Sequence, residues 1–326
     1  MCTAIRFNDA GGGMWFGRNL DWVRGYGERV VVTPPAARVP AAFERPGEPE
    51  RGRSVIGVGI VAGGVPLYFD CANDVGLAVA GLNFPQSARY AEGPREGAVN
   101  VAAYEFPYWA CRNHASVEEV RRALADVVVV ARPVSDELPV ASLHWMVADA
   151  TGAVVVECLE GGLRVWEDDA DVLTNEPDFG WHRQNLRNYL ALDASEPEPA
   201  SWGAARLEPF GSGMGTPGLP GGWSGPDRFV RAAFANARHP VREGERANLA
   251  RLLRTLGSVA VPMGSALMPD GGSEHTLYAS GFSSAERTYY HVAYDGTSVG
   301  RYPLAACDLT GTEPFEAPDA GWDDAR

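Results

Sequence analysis

The chain opens with MCTAIRFNDAGGGMWFGRNLDW, Met1 to Trp22, and the reading of this stretch decides the fold. Thr3 to Phe7 and Met14 to Gly17 have the apolar, β-forming character of two short strands, and Gly11 to Gly13 supply a turn between them. Such a hairpin returns Arg18 and Asp21 to the neighbourhood of Cys2. An initiator methionine is ordinarily trimmed when the second residue is small, so the mature chain is expected to lose Met1 and begin at Cys2. One residue would then carry both a thiol, with a reference pKa of about 8.5, and an α-amine, at about 7.7 to 8.0. The amine can take the thiol's proton directly or through a water, which couples nucleophile and base without a histidine. A guanidinium beside them favours the thiolate, and a carboxylate can hold the ammonium. A cysteine at position 2 is ordinarily incidental by itself; the surrounding pattern gives it weight.

That pattern, M-C-T-A-I followed by F-G-R-N-L-D, resembles the choloylglycine hydrolase family of N-terminal nucleophile hydrolases, which contains bile salt hydrolases and penicillin V acylases. The resemblance continues through Gly27 to Pro34, Gly81-Leu82-Asn83-Phe84-Pro85, Leu173-Thr174-Asn175-Glu176-Pro177, Gly218-Leu219-Pro220-Gly221 and Arg228-Phe229-Val230. It spans nearly the whole chain in order. It implies an α+β fold, the four-layer αββα sandwich of the N-terminal nucleophile hydrolases, and a homotetramer.

Composition is consistent with an enzyme-sized soluble chain. The 326 residues are long for one average domain but suit a single large one, and no linker or repeat divides residues 1–326. No apolar run approaches the eighteen or so residues needed to span a bilayer. The first residues lack the basic and apolar regions of a signal peptide, so a cytoplasmic location is expected. All 28 basic residues are arginine, which excludes Schiff-base lysines, P-loop lysines and Ser-Lys dyads. A formal charge of −14 argues against nucleic acid as a partner. The five cysteines, Cys2, Cys71, Cys111, Cys158 and Cys307, are scattered without C-x-x-C spacing, so neither a disulfide framework nor a metal site is suggested. Cys71, Cys111 and Cys158 read as buried packing residues.

Further along, Val30 to Thr33, Val55 to Val61, Pro66 to Cys71 and Leu77 to Leu82 read as strands. The Pro-, Glu- and Arg-rich residues 34–53 read as a loop, of the kind that walls the substrate pocket in the family. Val99 to Arg112 is expected to be helical. Ser116-Val117-Glu118-Glu119 is a capping box opening a second helix with Val117, Val120, Leu124 and Val127 inward. Strands follow from Leu143 to Val147 and Ala153 to Cys158, then Gly162 to Trp166 and Asp171 to Thr174, the last leading into Asn175. Helices are expected from Phe179 to Leu190, Asp227 to Arg238 and Arg246 to Val259, with a closing hairpin of Thr276 to Ser280 and Arg287 to Tyr294. Residues 191–226 form a long Pro/Gly/Ser-rich connection that the family match marks as an ordered substrate loop. The acidic tail, 308–326, reads as a solvated extension.

By the resemblance, Cys2 is the nucleophile, Arg18 and Arg228 polarise the site, Asp21 orients Cys2, and Asn83 and Asn175 serve the oxyanion. The bland readings are turn asparagines and surface arginines; the six together are an unusual set. No cofactor is implied. The expected ligand is a small amphipathic anion, since bile salts and penicillin V both join an apolar body to an anionic end. Asn83 resembles the bile salt branch, where penicillin V acylases commonly carry an aromatic residue. Trp22 departs from the tyrosine frequent in that branch, and Trp181 to Leu186 resembles the acylases. Glycine- or taurine-conjugated bile salts are the expected substrates, with penicillin V or another N-acyl amide as the alternative. A thiol protease needs a histidine motif that His114, His144, His182, His239, His275 and His291 do not form. A metal hydrolase lacks paired-ligand spacing. A non-catalytic binding protein for amphipathic anions would keep the pocket while tolerating a blocked N-terminus.

Overall fold

The computed structural model describes residues 1–45 and 47–322. Two antiparallel sheets stack face to face. The first runs Val172–Leu173, Cys2–Asn8, Met14–Trp22, Ser273–Ser283, Thr288–Ala293, Gly300–Pro303, with Ala266–Leu267 added against Ser273–Ser283. The second runs Gly162–Glu167, Gly152–Leu159, Leu143–Asp149, Ala78–Asn83, Val65–Asn73, Val55–Ala62, Arg29–Thr33, Phe315–Glu316.

Each sheet needs a helical cover because its central strands are apolar on both faces. Helices Gly225–Arg238 and Glu245–Gly257 lie on the first sheet, and Phe106–Asn113 and Val117–Ala123 lie on the second. Ile5, Phe16, Val58, Ala80, Met146 and Phe282 belong to one buried cluster that fills the inter-sheet layer and continues beneath the first pair of helices. Val79, Val147, Phe106, Trp109 and Val120 belong to a second cluster under the other pair. The result is the expected αββα sandwich.

The opening hairpin is longer than its apolar runs suggest. Cys2–Asn8 pairs with Met14–Trp22 through seven residue pairs, so Arg18 and Asp21 lie within a strand. The turn is closed by Asp9 Oδ1, which accepts from the Gly11 and Gly13 amides at 2.9 Å each. Gly12 adopts φ +82°, which glycine reaches without steric cost.

Two helix expectations are corrected. Val99–Ala102 is a strand, parallel to Val127–Val130, and the α-helix begins only at Phe106; β-branched Val99, Val101 and the valine run suit strand pairing better than a helical stripe. Val127 therefore leaves the stripe of the second helix, which Ser116 does cap by accepting from the Glu119 amide. The 34–53 loop packs on helix Phe106–Asn113, with Arg45 and the Ala42 amide on buried Glu105 and Arg112 on the Pro49 and Glu50 carbonyls; Pro46 lies outside the described residues. It lines an outer cavity of about 450 Å³ there.

The acidic stretch from Asp308 is not a free extension over its described part. Phe315–Glu316 pairs with Arg29–Thr33. Trp322 stacks on Tyr290 at 6.1 Å, beneath the Arg246 and Arg301 guanidiniums, because burying an indole outweighs the solvation of its few charged neighbours. Residues 323–326 of that stretch lie outside the described residues. The 191–226 connection carries a small exposed hairpin, Ala200–Trp202 with Ala205–Leu207.

Close packing of helix Glu245–Gly257 on the opening hairpin depends on Gly17. A Cβ there would meet Ser280 O at 2.4 Å and Leu252 Cδ2 at 2.9 Å. Gly17→Ala is expected to lower unfolding stability by about 1–3 kcal/mol, the usual cost of overpacking, read as a lower urea midpoint at unchanged slope.

Candidate active site

Strand alternation divides the opening hairpin into two chemical faces. Cys2 pairs with Leu20 and Ala4 with Arg18, so the thiol and the guanidinium project together into the inter-sheet layer. Arg18 Nη2 donates to Cys2 Sγ at 2.7 Å, and its Nη1 donates to the Phe69 and Gly81 carbonyls at 3.0 Å each. Both side chains are buried. Burial opposes the Arg18 charge, but the pull of Cys2, Tyr278, Asp70 and Asp21 outweighs it and raises the guanidinium pKa. Asp70 is itself buried and accepts from Tyr278 and Ser280 at 2.8 Å each and from Tyr289.

The other face carries Thr3, Asn19 and Asp21 toward the helices. Ser224 caps helix Gly225–Arg238, accepting from the Asp227 amide, and Arg228 in the first turn reaches back to the hairpin. Its Nη1 donates to Cys2 O and, at 2.7 Å, to Thr3 Oγ1; its Nη2 donates to Asn175 Oδ1 at 2.7 Å. Burial lowers its pKa, against the raising influence of Asp21 and Cys2. Asp21 Oδ1 accepts from Thr276 Oγ1 at 2.6 Å, while its buried Oδ2 has no hydrogen-bond partner among the described residues and lies 3.8 Å from Arg228 Nη1.

Asn175 follows the edge strand Val172–Leu173, which pairs with Ala4 and Ile5. Its Oδ1 accepts from the Cys2 amide at 2.7 Å and its Nδ2 donates to Asn83 O at 2.7 Å. Asn83 ends the central strand Ala78–Asn83; it is half-buried, and its carboxamide makes no hydrogen bond among the described residues. With Met1 present, the Cys2 nitrogen is a peptide N–H. The Met1 ammonium donates to Asp21 O at 3.0 Å and to Glu274 Oε1 at 2.8 Å.

All six residues singled out from the sequence thus meet in one buried cluster, drawn from both sheets and a helix. Among the described residues, no group of three His, Cys, Asp or Glu side chains could hold a metal ion. The arrangement sets a thiol against a guanidinium, with a fixed positive charge on each face of its strand and a half-buried carboxamide nearby, which suits attack on a neutral acyl carbon.

A family model for linear amide C–N hydrolases, choloylglycine hydrolase family, matches residues 2–317. The chain belongs to the choloylglycine hydrolase family. It is 46% identical over 313 residues to a bile salt hydrolase/transferase of Bifidobacterium longum subsp. longum, covering 96% of this chain and 98% of that one. It is 41% identical to a conjugated bile acid hydrolase of Lactobacillus acidophilus, covering 93% and 96%. Among solved structures, a conjugated bile acid hydrolase from Clostridium perfringens superimposes with TM-score 0.89 at 29% identity, covering 97% and 96% of the two chains. A penicillin V acylase from Agrobacterium tumefaciens shares the fold at TM-score 0.72 and 21% identity, covering 94% and 88%. As a choloylglycine hydrolase family member, the chain is an enzyme of the linear amide class, with the four-layer sandwich those solved structures share.

Sequence reasoning missed Asp70, Thr276, Glu176, His144 and His182. Glu176 holds the loop after Asn83, accepting from the Gln86 and Ser87 amides at 2.8 and 3.0 Å. It lies inside the Leu173–Pro177 motif and His182 inside Trp181 to Leu186, stretches that carried a resemblance but no role for these two; Asp70, Thr276 and His144 stand alone in strands.

His182 Nε2 donates to Asn175 O at 2.9 Å, its Nδ1 is buried without a partner, and burial lowers its pKa to about 4. The unfolded imidazole titrates near 6.5. Between these values the unfolded chain binds more protons, so stability falls as pH drops through about 6.5 toward about 4, by up to about 3 kcal/mol, and is not lost further below. Urea midpoints of the wild type at pH 7, 5.5 and 4.5 should fall more steeply than those of His182→Gln, which lacks the titrating ring.

Proposed function

We propose that the chain hydrolyses the amide bond of glycine- or taurine-conjugated bile salts, with Cys2 as nucleophile once Met1 is removed. The observation that carries the reading is the Arg18 Nη2 contact with Cys2 Sγ at 2.7 Å, inside a fold whose first strand ends at that thiol. The names of the relatives from Bifidobacterium and Lactobacillus support the substrate class.

In this reading the sulfur attacks the amide carbonyl and forms an S–C bond. The carbonyl pair moves to oxygen, where the free Asn83 carboxamide and the Asn175 side chain, released from its contact with Asn83 O, would donate; one such donor is worth roughly 10²- to 10³-fold in kcat. The carbon–nitrogen bond then breaks as the Cys2 α-amine, having taken the thiol proton, passes it to the departing glycine or taurine nitrogen. Water attacks the thioester, the same amine accepts its proton, and the acid and the thiol are regenerated.

The unpartnered, buried Asp21 Oδ2 supplies the place for that amine. Freed of Met1, the Cys2 nitrogen gains protons to donate to Asp21 as well as to Asn175 Oδ1. Arg18 and Arg228 polarise the two faces. The location proposed is the cytoplasm, where a reducing pool protects a thiol nucleophile; among the described residues no helix is long and apolar enough to cross a membrane. A homotetramer is proposed in keeping with the family resemblance, and the exposed Leu190, Trp202 and Phe210 around the 191–226 connection offer apolar surface for it.

Intact mass and a release assay on one purified sample test this. Loss of one Met with free glycine from glycocholate or taurine from taurocholate is the expected result; phenoxyacetate release from penicillin V alone would transfer the enzyme to the acylases. Cys2→Ala should abolish release while leaving the unfolding curve in place, and normal turnover in that variant would remove Cys2 from the role. Acetylating the α-amine with the thiol intact should likewise suppress turnover by at least about 10²-fold, the low end for a general base.

A further inference from the structure

Behind the site lies a histidine that the reading above leaves unused, between the segments that carry the two asparagines. His144, in the central strand Leu143–Asp149, is fully buried. Its ring stacks on Phe84, the residue after Asn83, at 4.0 Å and 6°. Its Nε2 lies 2.9 Å from the carbonyl of Thr174, the residue before Asn175. A carbonyl only accepts, so Nε2 carries hydrogen and donates. Its Nδ1 faces Glu157 Oε1 at 3.1 Å. Glu157, also fully buried, is held in turn by the Trp166 indole at 2.9 Å and the Phe179 amide at 3.0 Å. One imidazole therefore touches both asparagine-bearing segments, and its tilt is set by a carboxylate that the Trp166 indole and the Phe179 amide hold in place.

We infer that His144, oriented by Glu157, is a positioning residue that sets the spacing of Asn83 and Asn175 for the developing oxyanion. It meets neither the thiol nor the substrate. The two asparagines come from different sheets, and each lies at or just past a strand end. Their direct link, Asn175 Nδ2 to Asn83 O, is the contact that must open if Nδ2 is to face an oxyanion. Something else must then hold the spacing. The Phe84 stack and the Thr174 hydrogen bond are independent of that contact and survive its opening. Misplacement of a donor by about 1 Å is enough to cost about 10²-fold in rate, so a wedge of this kind acts on kcat rather than on ground-state binding.

The inference rests on the proposed oxyanion role of Asn83 and Asn175, and the test separates the two. Wild type, His144→Leu, His144→Gln, Glu157→Gln and Asn83→Ala are compared by steady-state release of glycine from glycocholate and by the rate at which iodoacetamide alkylates Cys2, which needs the thiolate but no oxyanion donor. His144→Leu should lower kcat about 10- to 100-fold with KM within about twofold and alkylation unchanged. His144→Gln, whose amide can still donate to Thr174 O, should recover most of kcat, and Glu157→Gln should fall between. Combined with Asn83→Ala, His144→Leu should cost clearly less than it does alone, because the group it positions is gone. Full kcat in folded His144→Leu overturns the inference. So does a parallel fall of kcat and alkylation that Gln does not rescue, which would mark a general packing role. If His144→Leu does not fold, His144→Gln and Glu157→Gln decide: Glu157→Gln with undiminished kcat overturns it. Undiminished kcat in Asn83→Ala and in Asn175→Ala would instead sink the oxyanion reading itself.

Discussion

A permanently charged guanidinium buried against a thiol is the constraint around which this molecule is built. Arg18 cannot shed its proton, and leaving it uncompensated between two sheets would cost many kcal/mol. The fold meets that cost with three carbonyls, those of Asn19, Phe69 and Gly81, the Cys2 sulfur and the nearby Asp70 carboxylate. Asp70 in turn is satisfied by three hydroxyls from the first sheet. Phe69 and Gly81 belong to the second sheet, so the charge that meets the Cys2 thiol also ties the two sheets together at that point. Stability and reactivity share one set of contacts.

The second face of the hairpin solves a different problem. Asn175 and Arg228 arrive from distant parts of the chain, and each is anchored through backbone rather than through the group it presents. Gly225 lies so close to the Asn175 strand end that a Cβ there would meet Glu176 O at 2.5 Å, and Thr174 Oγ1 donates to Gly225 O at 3.0 Å. His182 adds a donor to Asn175 O and stacks on Phe229, next to Arg228, at 4.6 Å. Helix start, strand end and asparagine backbone are thereby held as one unit beneath Cys2.

Much of this was legible from residue order. Cys2, the Gly11–Gly13 turn, Arg18 and Asp21 lie within one hairpin, and local pairing settles their mutual positions, so short-range reading reached them. Alternation with period two could even have placed Arg18 with Cys2 and Asp21 on the reverse face. Asn83, Asn175 and Arg228 were found through motif resemblance, since nothing in spacing joins residues so far apart. The helical reading of Val99–Ala102 failed because a parallel strand partner, Val127–Val130, overrides local pattern, and the tail from Asp308 was misjudged because charge count ignored one tryptophan and one strand pair.

The sequence by itself determined the hairpin that returns Arg18 to Cys2 and the apolar strands that must be covered on both faces, because these follow from local sterics, turn chemistry and hydrophobic period. Tertiary structure alone decided which carbonyls receive Arg18, which carboxylate faces Tyr278 and Tyr289, and that His144 stands between Asn83 and Asn175. Those contacts join residues with no periodic relation in the chain, and only the stacking of one sheet on the other brings them within hydrogen-bonding distance.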